Sequence, residues 1–124
     1  MATDYTHIFA PGQAFTRTTS GSVTAGQALV VSGDDTVAAA SGASSAYIGI
    51  AAYDAGSGAE VTVLSGGVHE LAASGSISAG DLVTTAASGA VAAQGTPSAA
   101  NDIQVIGVAL KAAVSSKVTV KLFR

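Results

Sequence analysis

The stretch Ser20-Gly21-Ser22-Val23-Thr24-Ala25-Gly26 returns further along the chain as Ser74-Gly75-Ser76-Ile77-Ser78-Ala79-Gly80. Two later blocks return in the same order: Ile48-Gly49-Ile50-Ala51 as Ile106-Gly107-Val108-Ala109, and Val61-Thr62-Val63-Leu64 as Val118-Thr119-Val120-Lys121. The offsets are 54, 58 and 57 residues, so the slippage falls in the loops between blocks. What recurs is turn glycine and strand aliphatic, never a reactive side chain. The pattern describes one β-rich unit written twice, and it argues for a structural module over a catalytic one.

Outward from these blocks, each copy reads as five short strands separated by Gly, Ser and Asp turns, which predicts an all-β barrel or sandwich. The strands fall near 14–18, 28–31, 36–39, 46–52 and 60–64 in the first copy, and near 68–72, 82–85, 90–93, 104–110 and 117–122 in the second. Successive strand residues point to opposite faces, so Ile48, Ile50 and Ala52 are expected on one face, as are Ile106, Val108 and Leu110. In the last strand Val118, Val120 and Leu122 should point inward and Lys117, Thr119 and Lys121 outward. The expected core is Ile48, Ile50, Val61, Val63, Ile106, Val108, Val118 and Val120. Gly49 and Gly107 hold equivalent places, which suggests a bulge or the close approach of another backbone. Ala25-Gly26 and Ala79-Gly80 read as turns with glycine at positive φ, and Ser65-Gly66-Gly67 as a link too short to separate domains. Residues 1–14 lie outside the duplication and end at the turn signal Ala10-Pro11-Gly12. The organisation is therefore an N-terminal arm, 1–14, and a single β domain, 15–124, with repeats 15–64 and 67–122 related by a pseudo-twofold axis.

Composition says what such a domain can bury. Ala, Gly and Ser supply 57 of the 124 residues, against no Trp, three Phe and three Tyr, so each buried position removes few methylenes from water at about 0.8 kcal/mol apiece. Thin cores are usually reinforced by disulfides, metal or association. The absence of Cys excludes disulfides and thiolate metal sites, which leaves association. No apolar run approaches the ~18 residues of a membrane span, and the first residues lack the basic and apolar regions of a signal peptide. The expected setting is the cytoplasm or an assembled particle. A net charge of −3 argues against nucleic-acid binding through phosphate neutralisation. Four of the five basic residues, Lys111, Lys117, Lys121 and Arg124, lie in the last fourteen positions, whereas seven of the eight acids lie between Asp34 and Asp102. That asymmetry reads either as a solvated edge strand protected by lysine or as an electrostatic docking surface, Lys117, Lys121 and Arg124, for an acidic partner.

The search for reactive chemistry returns specific negatives. No lysine follows a glycine, so no P-loop can form, and there is no Gly-x-Ser-x-Gly elbow. His69-Glu70 is the one adjacent titratable pair of catalytic type, yet strand neighbours project to opposite faces; a small hydrolase using His69 is the reading it leaves open. Asp34-Asp35 reads as a hairpin turn and lacks the spacing of a calcium loop. Tyr47 and Tyr53 could form a platform for sugar. No catalytic residue, metal site or cofactor is expected.

The ordered series Ile48-Gly49-Ile50-Ala51, Gly58-Ala59-Glu60-Val61-Thr62-Val63, Gly67-Val68-His69-Glu70-Leu71, Ala79-Gly80-Asp81-Leu82-Val83, Ile106-Gly107-Val108-Ala109 and Val118-Thr119-Val120 resembles the head-decoration or capsid-cement proteins of tailed bacteriophages. It covers roughly residues 15–122. Members are sometimes labelled recombinase-like, a label the missing P-loop contradicts. The resemblance implies a β-barrel or β-tulip-like virion protein, made in the host cytoplasm, that sits on the outer capsid surface, often as a homotrimer, and staples major capsid subunits together. It brings no catalytic residues. Tyr5, His7, Ile8 and Phe9 of the arm are then the candidate capsid-binding residues, since such side chains are costly to leave exposed. The alternative is a phage tail or fibre β-module that binds a host surface glycan.

Overall fold

A computed structural model of the protein describes residues 14–124. Ten strands build it: β1 (Phe15–Thr19), β2 (Ala28–Gly33), β3 (Thr36–Ala39), β4 (Tyr47–Ala51), β5 (Glu60–Leu64), β6 (Gly67–Ala72), β7 (Leu82–Thr85), β8 (Val91–Ala93), β9 (Val105–Ala109) and β10 (Lys117–Leu122). The protein is all-β. The alanine pairs of β3 and β8 are strand, their helical propensity overridden by pairing to β2 and β7. A four-residue helix, α1 (Ala99–Asp102), interrupts the β8–β9 connection; the Ser98 hydroxyl caps it by accepting from the Asn101 amide at 3.2 Å. Among the described residues, no helix is long and apolar enough to cross a membrane.

β1 to β5 close into a barrel in the order β1-β3-β2-β4-β5. Its neighbours are antiparallel except β1 and β3, which close it in parallel through Thr18 opposite Thr36 and Thr19 opposite Val37. β6 to β10 form a second five-stranded sheet in the order β6-β10-β9-β7-β8. Each neighbour pair in that sheet has a counterpart in the barrel, five strands back. Only the closure differs, reduced to one parallel bridge between Ala73 and Val91. The turns correspond too: Gly26 and Gly80, at φ 85° and 87°, donate to the Ala51 and Ala109 carbonyls.

Two glycines decide which side chains meet. A β carbon at Gly49 would lie 2.5 Å from the Leu64 carbonyl oxygen, and one at Gly107 would lie 2.5 Å from that of Lys121. At the same places the register of β2 with β4 and of β7 with β9 slips by a residue, as a bulge requires. The slip overturns the simple alternation. Ile48 and Ile50 do not share a face: Tyr47 and Ile50 join one core, while Ile48 and Ala51 pack with another. In β9 the buried pair is Ile106 and Ala109; Val108 is half-buried and Leu110 exposed. Of the expected core, Ile50, Val61, Val63, Ile106, Val118 and Val120 are buried, and Ile48 and Val108 are not fully so.

The barrel's own core is Val23, Leu29, Val37, Ala51, Val61 and Val63. The larger core lies between barrel and second sheet, where Ala28, Tyr47 and Ile50 pack with Leu71, Ile77, Val83, Val91, Ile106, Val118, Val120 and Leu122. Polar contacts fix this junction: Thr85 donates to the Gly42 carbonyl at 2.8 Å, Gly89 to that of Ala40 at 2.8 Å, and Gln27 to that of Ser88 at 3.0 Å.

Because nothing but hydrogen fits between Gly107 and β10, Gly107→Ala should lower unfolding stability in urea by about 1–3 kcal/mol. Gly56→Ala, which adds a methyl where nothing lies within 4 Å, should cost far less. Equal midpoints for the two variants would contradict the close crossing.

Candidate functional site

The described residues assemble no reactive constellation. The His69 ring donates from Nε2 to the Gly66 carbonyl at 2.8 Å, which leaves it bound to backbone and not to a serine or carboxylate. Glu70 is exposed on the opposite face of β6. No group of three or more His, Cys, Asp or Glu among the described residues could hold a metal ion. Tyr47 and Tyr53 form no shared platform: Tyr47 is buried, and Tyr53 is exposed with its hydroxyl 3.3 Å from that of Thr62. Surfaces are what remains.

The last strand is not an edge. β10 pairs with β6 on one side and β9 on the other, so its lysines do not serve edge protection; they stand on the outer face of an interior strand. Lys121 lies opposite both Val68 and Val108, and Val108 lies opposite Leu82. Residues directly opposite share a face, so Leu82, Val108, Lys121 and Val68 form one row across four strands. Thr119 and Glu70 are paired in the next row, with Leu110 donating its amide to the Thr119 carbonyl. Lys117 stands beyond them opposite Ala72, where the Val114–Lys117 hairpin is closed by Ser115 and Ser116, both at positive φ.

Arg124 belongs elsewhere. Its guanidinium sits 5.7 Å from the Tyr47 ring centroid and donates to the Ile103 carbonyl at 3.2 Å. It covers the end of the larger core, so the structure groups Lys117 with Lys121 and separates both from Arg124. Sequence reasoning missed Tyr47 as a core residue and Lys111 and Leu110 as neighbours of the β10 lysines; the first has no local signal, and the second needs the strand order. Tyr5, His7, Ile8 and Phe9 lie outside the described residues.

On the barrel, a depression of about 200 Å³ is lined by Phe15, Val31, Val37 and Ile48, with Arg17 and Asp35 at its rim. These two form an ion pair at 3.5 Å. A second, polar cleft of about 300 Å³ opens at the junction, between the Thr24–Gln27 turn and Glu70, Ser88 and Lys117.

The chain's similarity to known proteins points to phage particles. Residues 9–123 match the phage cement protein family. The chain belongs to that family. A solved structure, the head fiber gp8.5 N base of bacteriophage phi29, superposes with a TM-score of 0.67 at 25% identity, covering 89% of this chain and 92% of that one. No curated protein matches. This cement protein is a capsid-associated structural protein of the virion.

The Tyr47 hydroxyl is buried and has no hydrogen-bond partner among the described residues. Burial pushes its pKa far above the ordinary phenol value, an effect that Arg124 partly offsets. In the unfolded chain this tyrosine ionises around pH 10; in the fold it stays neutral there, so its contribution to stability is intact at lower pH and is lost as pH climbs from 10. Tyr47→Phe should therefore cost nothing at pH 7, or gain up to about 1 kcal/mol. Its advantage over the natural protein should widen at pH 11. Parallel stability curves for the two proteins across pH 8–11 would refute this.

Proposed function

We propose that this cement protein binds the outer surface of a phage capsid and holds neighbouring major capsid subunits together, as a homotrimer and without catalysis or cofactor. The match to the cement family over residues 9–123 carries the reading, and the likeness to a phage head fiber base supports it. The mechanism is additive. Each copy contributes a modest interface, and a shell covered by many copies sums them into resistance to expansion pressure. Nothing in that task calls for nucleic acid or membrane as partner.

Residues 1–14 are proposed as an arm that adds an extended strand to an open sheet edge of the major capsid protein, through Tyr5, His7, Ile8 and Phe9. Residues 15–64 and 67–122 are proposed as two copies of one unit about a pseudo-twofold axis, supported by their matching strand orders. Lys117 and Lys121 are proposed to meet an acidic partner, while Arg124 is engaged with Tyr47 and Ile103. The glycan-binding alternative loses its platform with the burial of Tyr47.

Deletion of residues 2–12 tests the arm. The shortened protein should keep its cooperative urea transition yet no longer co-sediment with undecorated capsids, which the full chain does. Undiminished capsid binding by the shortened protein would refute the arm's role, and failure of the full chain to bind would refute the cement reading itself.

A further inference from the structure

The outer face of the second sheet is an unusual surface for a free molecule. Val68, Leu82 and Leu110 are 57%, 41% and 47% exposed there, in rows that also carry Val108 and Lys121. Val114, 70% exposed, lies where Lys111, Lys117, Thr119 and Glu70 line one shallow depression. Lys121 stands within the apolar row, and Lys111, Lys117 and Glu70 stand to one side of it, so the face joins apolar and mostly basic side chains.

The chain also carries the complement of this face. Residues 14–66 hold Asp34, Asp35, Asp54 and Glu60 against Arg17 alone, whereas 67–124 hold four basic residues against three acids. The barrel depression lined by Phe15, Val31, Val37 and Ile48 has Val31 49% exposed and carries the Arg17–Asp35 ion pair at its rim. Asp34 and Asp35 are both exposed at the tip of the β2–β3 hairpin. An apolar hollow beside Asp34 and Asp35, the second of them paired with Arg17, thus stands on one half of the molecule, and an apolar ridge that carries lysines on the other.

We propose that the outer face of the second sheet receives the barrel of a second copy, head to tail, with Leu110 and Val68 against the hollow and Lys117 and Lys121 against Asp34 and Asp35. This deepens the trimer reading above and rests on it only for the number of copies. The contact is heterologous, so repetition closes a ring when the rotation permits. Head-to-tail contact also opposes unlike charges in a molecule whose net −3 otherwise repels its copies. Added salt should weaken the association without abolishing it, because much of the contact is apolar.

A charge exchange read by sedimentation velocity over a concentration series tests this. The natural protein should associate, while Lys117→Glu/Lys121→Glu and Asp34→Lys/Asp35→Lys should each sediment as monomers. Mixed in equal amounts, the two variants should associate again. All four positions are exposed, and circular dichroism verifies folding; if either pair fails to fold, Leu110→Ser with Lys117→Gln/Lys121→Gln replaces it and should also be monomeric. A natural protein that stays monomeric, reversed variants that associate as it does, or a mixture that stays monomeric overturns the proposal. Capsid co-sedimentation is measured in parallel. A lysine variant that keeps its oligomer but loses the capsid assigns the face to the capsid and also overturns it, whereas loss of capsid binding by the natural protein strikes only the cement reading.

Discussion

Two backbone crossings without room for a β carbon set the shape of this protein. At Gly49 and Gly107 a strand passes so near the next strand's carbonyl that only hydrogen fits, and the bulge that results shifts every later side chain by one position. In β4 the consequence reaches furthest. Tyr47 and Ile50 turn toward the second sheet, while Ile48 and Ala51 turn into the barrel. β2 does the same by plain alternation, through adjacent Ala28 and Leu29. Two strands therefore serve two cores.

That arrangement compensates for small side chains. The barrel interior is filled mainly by valine, with little apolar area in each residue, so a separate barrel would bury too little to hold a fold of this length. Sharing β2 and β4 with the second sheet adds Tyr47, Ile50, Leu71, Ile77 and Ile106, the larger residues, to one continuous cluster. The same economy leaves exposed apolar side chains, and the structure gathers three of them on the outer face of the second sheet beside the lysines. For a capsid-associated structural protein, the described residues offer rigid sheets and surfaces of contrasting charge.

Much of this was legible in the sequence, for physical reasons that particular residues show. In β10 the alternation of Val118, Val120 and Leu122 with Lys117, Thr119 and Lys121 gives both faces directly, since the strand is regular. In β4 and β9 the same rule misassigned Ile48, Val108 and Leu110, because a bulge resets the period; the glycines announced a bulge without saying which way the following residues would turn. β10 read as an edge because strand order depends on contacts far apart in sequence. The Arg124–Tyr47 contact, between residues 77 positions apart, left no local trace for the same reason. Of the candidate site, the outward lysines were visible in pattern, and their apolar neighbours Val68, Leu82 and Leu110 became visible only once four strands were laid side by side. The small helix α1 went unread, although Pro97-Ser98 is a capping signal.

The proposed role, a cement on the outside of a capsid, is tested most directly by a cryo-electron-microscopy reconstruction of particles with and without the protein. The account predicts difference density on the outer shell surface, large enough for the barrel and second sheet and touching more than one major capsid subunit. Difference density confined to the tail or to the particle interior, or none at all, would contradict it.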